Sequence, residues 1–275
     1  MEKLQNIKMI ALDLDDTLLN SNVEISDKNV EVLQTAAKKG IYVVLCSGRA
    51  EHGILPYVRR LNVAGLKTGR FVISTNGCSI FDLHSRTQVY RRDLEPSILL
   101  QADEEAKKMG LFTTTYSDDT IYCEVDNKWT RMDSDLCGLK NIKVDNWNEF
   151  LWQKKTPKMV IPGEPEKLLV LQEILKKDFG KAATVFTSKP FFLEVIPPSC
   201  GKGEAIVWLA ASLEIDLSEV AAFGDSYNDE SMMYYAGHSV CMINGTDEMK
   251  KIAKHITEKD NNNSGVGDFI EKYIL

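Results

Sequence analysis

The sequence predicts an α/β fold: a parallel-sheet core with a second, mixed α+β domain inserted into it. Three observations carry that reading. At both ends of the chain, short apolar runs rich in β-branched residues alternate with amphipathic helical stretches, the βαβ pattern of a parallel sheet covered on both faces. Two of these runs end in carboxylates, Asp13-Leu14-Asp15-Asp16 and Gly224-Asp225-Ser226-Tyr227-Asn228-Asp229. Between them lies a strand-rich middle with no acidic strand ends, after which the first pattern resumes at Gly201.

In chain order, Met9–Leu12 is a buried strand that stops at the first acidic cluster. Ser26 caps a helix over about Asp27–Lys39, with Val30, Leu33 and Ala37 on one face and Gly40 in the C′ position. Ile41–Leu45 is a strand ending in Cys46-Ser47-Gly48-Arg49, and a helix follows to about Arg60. Phe71–Ser74 is a strand ending in Thr75-Asn76-Gly77. In parallel sheets ligands sit off the carboxyl ends of the strands, so Asp13, Asp15, Ser47 and Asn76 can converge. The middle offers strands at Gln88–Arg91, Phe112–Tyr116, Thr120–Val125, Lys158–Ile161, Ala183–Phe186 and Phe191–Ile196, with a hairpin turn at Tyr116–Thr120. Helices fall at about Pro96–Met109 and Pro165–Lys177. Boundaries near Asp82–His84 and at Pro197-Pro198 divide the chain into a core, 1–83 with 197–275, and an inserted domain, 84–196. Then come a helix from Gly201-Lys202-Gly203, a strand Val220–Phe223, short strands at Ser239–Met242 and His255–Thr257, and a terminal amphipathic helix over Val266–Ile274.

The 275 residues are 44% hydrophobic and 27% charged, enough to bury a large core. A net charge of −7, spread along the chain, argues against a basic nucleic-acid face. The six cysteines (Cys46, Cys78, Cys123, Cys137, Cys200, Cys241) form no CxxC and read as reduced thiols. No signal-peptide pattern and no membrane-length apolar run is present, so the expectation is a cytoplasmic protein without a membrane or nucleic-acid partner and with no obligate protein partner evident.

Desolvated carboxylates a few ångströms apart repel one another unless a cation or hydrogen bonds compensate. One reading of the first cluster is a solvated acidic turn; the other is a cation site. Two acidic strand ends in one sheet make a hard-oxygen pocket suited to Mg2+. Asp13 and Asp15 share a side of an extended segment, and Asp225 and Asp229 can face one way if a helix starts after Gly224. Lys202 at a helix start offers a cation, and Ser47-Gly48 a hydroxyl and an N–H, to a phosphate oxygen.

Asp13-Leu-Asp-Asp-Thr17, Ser47-Gly48-Arg49, Lys202 and Gly224-Asp225-Ser-Tyr-Asn228-Asp229 together resemble the four signature motifs of the haloacid dehalogenase-like hydrolase superfamily. Asn76-Gly77, Glu194-Val-Ile-Pro197 and Gly265-Val266 are similar to its Cof-type phosphatase branch. Pro197-Pro198-Ser199-Cys200-Gly201 departs from that branch, where a single proline is usual, and is expected to change loop shape without moving Lys202. The resemblance implies a Rossmann-like core, an α/β cap that sets specificity, and Mg2+-dependent hydrolysis of small phosphorylated metabolites, sugar or nucleotide and cofactor phosphates, through an aspartyl-phosphate. It implies Asp13 as nucleophile and Asp15 as general acid and base. It implies Mg2+ held by Asp13, the Asp15 carbonyl and Asp225, with Ser226 and Asp229 beside them. It implies phosphate contacts from Asp13, Leu14, Ser47, Gly48, Arg49, Lys202 and Asn228. Asp16 is expected to be a turn residue, and Thr17 to bond the Asp15 region. Cap residues Tyr116, Tyr122, Trp129, Arg131 and Glu194 are candidates for facing substrate. A phosphomutase with the same intermediate and a non-catalytic binder of phosphorylated ligands are the alternatives.

Overall fold

The computed structural model describes residues 2–117 and 119–275. The chain divides into two compact units, 1–90 with 201–275, and 91–200.

The first unit holds β1 (Met9–Leu12), α1 (Asp27–Lys38), β2 (Tyr42–Cys46), α2 (Glu51–Leu61), β3 (Phe71–Ser74), β4 (Ser79–Asp82) and β5 (Thr87–Arg91). The second opens with α3 (Pro96–Lys108), β6 (Thr114–Tyr116), β7 (Thr120–Cys123), α4 (Lys128–Cys137), β8 (Lys140–Lys143) and α5 (Trp147–Gln153). It closes with β9 (Met159–Pro162), α6 (Pro165–Phe179), β10 (Thr184–Lys189) and β11 (Phe192–Ile196). The chain then returns to the first unit as α7 (Lys202–Ser212), β12 (Val220–Gly224), α8 (Glu230–Tyr235), β13 (His238–Cys241), α9 (Asp247–Ile252), β14 (His255–Ile256) and α10 (Gly265–Tyr273).

The core sheet runs β14-β13-β12-β1-β2-β3-β4-β5. β14 through β3 are parallel, and β4 turns back antiparallel to β3. Its strands alternate sides. Ile10, Leu12, Val43, Leu45 and Phe223 pack under α1, α2 and α10, whereas Met9, Ala11, Val44, Cys46 and Ala222 pack under α7 and α8. Burial on both faces explains why the strands read as continuous apolar runs. The chain leaves β1 for β2 and β3 on one side and returns to β12 on the other. That switch point opens a crevice at the strand ends, between Asp13 and Asp225.

The second unit is a six-stranded sheet, β10-β11-β9-β6-β7-β8, antiparallel except for the β7/β8 pair. Met159, Ile161, Leu193 and Val195 point to the face where α3, α5 and α6 pack. The Tyr116–Thr120 turn is a hairpin connection in which Ser117 N donates to Thr120 O at 2.9 Å; its Asp118 lies outside the described residues.

The division falls at 90/91 and 200/201, whereas the sequence reading has boundaries near Asp82–His84 and within Ile196–Cys200. The reason is β4 and β5, which extend the core sheet; the strand read at Gln88–Arg91 was expected in the insert. Two helices and one strand of the second unit, α4, α5 and β8, went unread. β8 is Lys-Asn-Ile-Lys and mostly exposed, so no apolar run marks it. α4 did carry a signal: Asn127 accepts from Trp129 N and Thr130 N, while Thr130 Oγ1 accepts from Asn127 N, a reciprocal cap. Among the described residues no helix is long and apolar enough to cross a membrane.

Candidate active site

β1 and β12 pair with Leu12 opposite Phe223, and Asp13 N donates to Phe223 O at 3.0 Å. The next residues of both strands therefore leave the sheet side by side. After β1 the backbone makes a wide turn, with Leu18 N bonding Asp13 O at 3.3 Å and Leu19 N bonding Leu14 O at 2.8 Å. Such five-residue closures recur at functional sites. Asp13 and Asp15 stay extended (ψ 157 and 127), and Asp16 turns left-handed at φ 61. An aspartate tolerates that region better than most side chains. Asp13 is 5% exposed. The Leu14 side chain is buried in the core, so only its backbone is available to a ligand.

The turn after β12 is built differently. Asp229 folds back so that its Oδ2 accepts from Asp225 N at 2.9 Å and Ser226 N at 3.2 Å. A Cβ on Gly224 would lie 2.6 Å from the Asp229 carboxyl carbon, so this close return requires a glycine. The helix itself starts only at Glu230, and Asp225 and Asp229 meet through this cap and not as neighbours on a helix face. Asp229 Oδ1 accepts from Lys202 Nζ at 2.6 Å, and the same ammonium donates to Asp13 Oδ1. Lys202, the first residue of α7, is fully buried. Burial works against its charge, but Asp13 and Asp229 outweigh burial and hold the ammonium protonated above the usual lysine range.

Ligand atoms of Asp13, Asp225 and Asp229 lie within 4.8 Å of one another. Burial first, and then the Asp229 charge, raise the Asp13 carboxyl well above the ordinary range. The same two causes push Asp225 up to about 7. Three buried carboxylates around one lysine are under-neutralised, and their hard oxygens fit a divalent cation. Both Asp229 oxygens are engaged by N–H groups and Lys202, which leaves Asp13 and Asp225 as the better-placed donors.

Thr17 bonds elsewhere than expected. Its hydroxyl donates to Asp225 Oδ1 at 2.7 Å, tying the two acidic turns together, and not to the Asp15 region. Asp15 is instead held by Arg49 in a fork, Nε to Oδ2 at 3.0 Å and a terminal nitrogen to Oδ1 at 2.6 Å. Ser47 is buried, with its Oγ accepting from Arg49 N at 3.2 Å. Asn76, not among the expected phosphate contacts, joins these parts: its N–H donates to Ser47 O at 3.0 Å and its Oδ1 accepts from Asn228 Nδ2 at 3.1 Å. Thr75, Asn76 and Gly77 are all left-handed, and a Cβ on Gly77 would lie 2.0 Å from Gly201 O. The Asn-Gly pair thus lets this loop press against the start of α7, and its place at a strand end was the available signal.

In the second unit, Tyr122 packs against the helix-side core at 5.0 Å from Phe150. Arg131 forms an exposed fork on Asp126, and Trp129 lies under Lys128. Tyr116 and Glu194 are buried and share Lys158, 4.7 Å from the Tyr116 ring centroid and 3.5 Å from the Glu194 carboxylate. Cys46, Cys78, Cys123, Cys200 and Cys241 are free, buried thiols.

The chain as a whole has counterparts among known proteins. The haloacid dehalogenase-like hydrolase model matches residues 10–270. A Streptococcus pyogenes serotype M6 protein is 32% identical over 272 residues, covering 98% of this chain and 99% of that one. A Bacillus subtilis protein named 5-amino-6-(5-phospho-D-ribitylamino)uracil phosphatase YwtE is 31% identical over 297 residues, covering 98% of each chain. The solved structure of a haloacid dehalogenase-like hydrolase from Bacteroides thetaiotaomicron is 31% identical, with a TM-score of 0.86, and covers 97% of this chain and 99% of that one. The chain belongs to the haloacid dehalogenase-like hydrolase family, in its Cof-type phosphatase branch.

Proposed function

We propose that the protein is a Mg2+-dependent phosphatase that hydrolyses small phosphorylated metabolites through an aspartyl-phosphate on Asp13. The observation that carries this reading is the buried Lys202 held between Asp13 and Asp229, with Asp225 alongside. Mg2+ would be held by Asp13, the Asp15 carbonyl and Asp225, with Ser226 and Asp229 beside them. When bound, it neutralises charge on the phosphoryl oxygens.

The chain's own residues then divide the work. An Asp13 oxygen attacks phosphorus, the ester P–O bond breaks, and the leaving alkoxide takes a proton from Asp15. In the second step Asp15 accepts a proton from water, whose oxygen attacks the aspartyl-phosphate, releasing phosphate and the Asp13 carboxylate. Splitting the reaction replaces one difficult displacement by two easier ones. Because Arg49 occupies both Asp15 oxygens, one must leave the guanidinium before Asp15 can deliver its proton. Lys202, the Ser47 hydroxyl, the Leu14 and Gly48 backbone and Asn228 grip the transferring group, where most of the catalytic stabilisation lies. The second unit selects the leaving group. Sugar, polyol and nucleotide or cofactor phosphates are the class to test, and the ribityl phosphate in the name of the Bacillus subtilis relative supports including polyol phosphates. No partner beyond the small substrate is needed, and a cytoplasmic location fits such substrates.

The test is phosphate release from a panel of these monoesters, with and without Mg2+, by wild type and Asp13→Asn. Wild type with Mg2+ should release phosphate, and Asp13→Asn should be slower by about three orders of magnitude or more. Equal rates in the two proteins would overturn the mechanism.

A further inference from the structure

Asp16 turns left-handed, and its restraint comes from far away in the chain. Its left-handed backbone is the pivot between Asp15, which lies in the Arg49 fork, and Thr17, which bonds Asp225. An aspartate can adopt this conformation, and the bonds around it decide whether it stays there. Here the Asn244 side chain donates to Asp16 O at 2.7 Å. The Asn244 oxygen in turn accepts from Asn261 N at 3.1 Å, and the buried Asn261 side chain donates to Leu19 O at 2.9 Å. Asn262 extends the arrangement by accepting from Ser21 N at 2.9 Å.

The loop that carries Asn244 also grips the other acidic turn. Met242 N donates to Gly224 O at 3.0 Å and Thr246 N to Asp225 O at 2.9 Å. One short segment, 242–246, is thus bonded to the backbone at Gly224 and Asp225 and, through Asn244, to the backbone at Asp16. It is itself braced to the following loop, since Ile243 N donates to Thr257 Oγ1 at 2.9 Å and Thr257 Oγ1 to Lys259 O at 2.7 Å.

We infer that Asn244 and Asn261 are positioning residues whose side chains clamp the Asp13–Leu19 turn against the β12 strand end and thereby set the geometry of the divalent-cation site. Neither side chain titrates and neither bonds Asp13, so their action passes through the backbone. With the Asn244 bond gone, Asp16 can relax toward an ordinary φ, which changes the path of the backbone between Asp15 and Thr17. The inference rests on the proposed Mg2+ site.

The experiment uses the whole chain and three readouts: Mg2+ dissociation constant by titration calorimetry, thermal midpoint with and without Mg2+, and kcat and KM on the best monoester of the panel. Asn244→Ala and Asn261→Ala should each weaken Mg2+ binding about 10-fold and lower kcat by a similar factor. KM should stay within about twofold of wild type, because outer partners of metal ligands act on the site and not on substrate contacts. The metal-free midpoint of Asn244→Ala should stay near that of wild type while the Mg2+-induced rise shrinks. The double variant should lose less than the product of the singles, since the two residues act in one chain of bonds. Should Asn261→Ala fail to fold, Asn244→Ala decides alone, because its side chain is exposed. A folded Asn244→Ala protein that binds Mg2+ and turns over like wild type overturns the inference. A wild type that releases phosphate without binding Mg2+ overturns instead the reading on which it rests.

Discussion

The turn after β1 and the turn after β12 emerge side by side from one sheet, and each holds its aspartates in a different way. After β1 the backbone is irregular, the carboxylates of Asp13 and Asp15 diverge, and their partners are side chains from elsewhere, Lys202 and Arg49. After β12 the turn is a self-contained cap in which Asp229 satisfies N–H groups of its own loop. In the first, cations from other elements hold the carboxylates; in the second, one carboxylate holds the backbone of another in place. Lys202 touches one carboxylate of each turn, and Thr17 of the first reaches Asp225 of the second. The contrast teaches that chemistry and support are divided between the turns, not shared equally among their aspartates.

Removing Lys202 should break the arrangement most severely. Lys202→Met keeps the volume but leaves Asp13 and Asp229 buried without their cation, and uncoupling one partner of a buried ion pair costs about 3–5 kcal/mol. Denaturant unfolding of the metal-free protein should show a loss of that size, and phosphate release should fall by about 100-fold or more. Mg2+ should recover part of the stability but not the rate. A variant as stable as wild type would mean that the two turns do not depend on their shared lysine.

A pH series probes the crowding itself. Burial and the Asp229 charge push Asp225 up to about 7, whereas the unfolded chain releases that proton near the ordinary aspartate value of 3.8. The folded state therefore binds more protons between these values. Its contribution to stability is fully present below the lower one and is lost as pH rises through the upper one. Asp13, raised by burial, acts in the same direction. Metal-free protein should lose stability from pH 5 to pH 7 with a slope of about 1.4 kcal/mol per pH unit from Asp225, and the loss should level off above that. Saturating Mg2+ should flatten the profile, because a cation takes the place of the proton. A flat metal-free profile would remove the crowding from the account.

Much of this was legible in the residues, and what was missed has a common cause. Asp13, Asp15, Lys202 and Asp225 sit at the ends of strands or helices whose apolar periodicity reads locally, and the parallel topology then brings those ends together. Thr17 was assigned to its neighbour because sequence distance favours it, but its partner lies 208 residues away. The Asn244–Asp16 bond spans 228 residues, and no local pattern marks either end. The strand at Gln88–Arg91 reads as part of the insert because it follows the boundary near Asp82–His84, although it widens the core sheet. Backbone periodicity is written locally; side-chain bridges between loops are not.

The smallest expected effect tests the bridge between the two turns. In Thr17→Val the shape is kept and one donor is lost to Asp225, whose carboxylate the hydroxyl helps to keep ionised. An unsatisfied buried acceptor costs about 1–3 kcal/mol, so metal-free Thr17→Val should fall in that range by denaturant unfolding. With the hydroxyl gone, the Asp225 carboxyl should move higher still, and the pH at which Mg2+ binds half-maximally should move upward with it. Saturating Mg2+ should narrow the stability gap, because a bound cation would offset the charge that the lost hydroxyl leaves on Asp225. If the gap is instead the same with and without Mg2+, Thr17 serves packing at the base of the turn and the two turns are joined through Lys202.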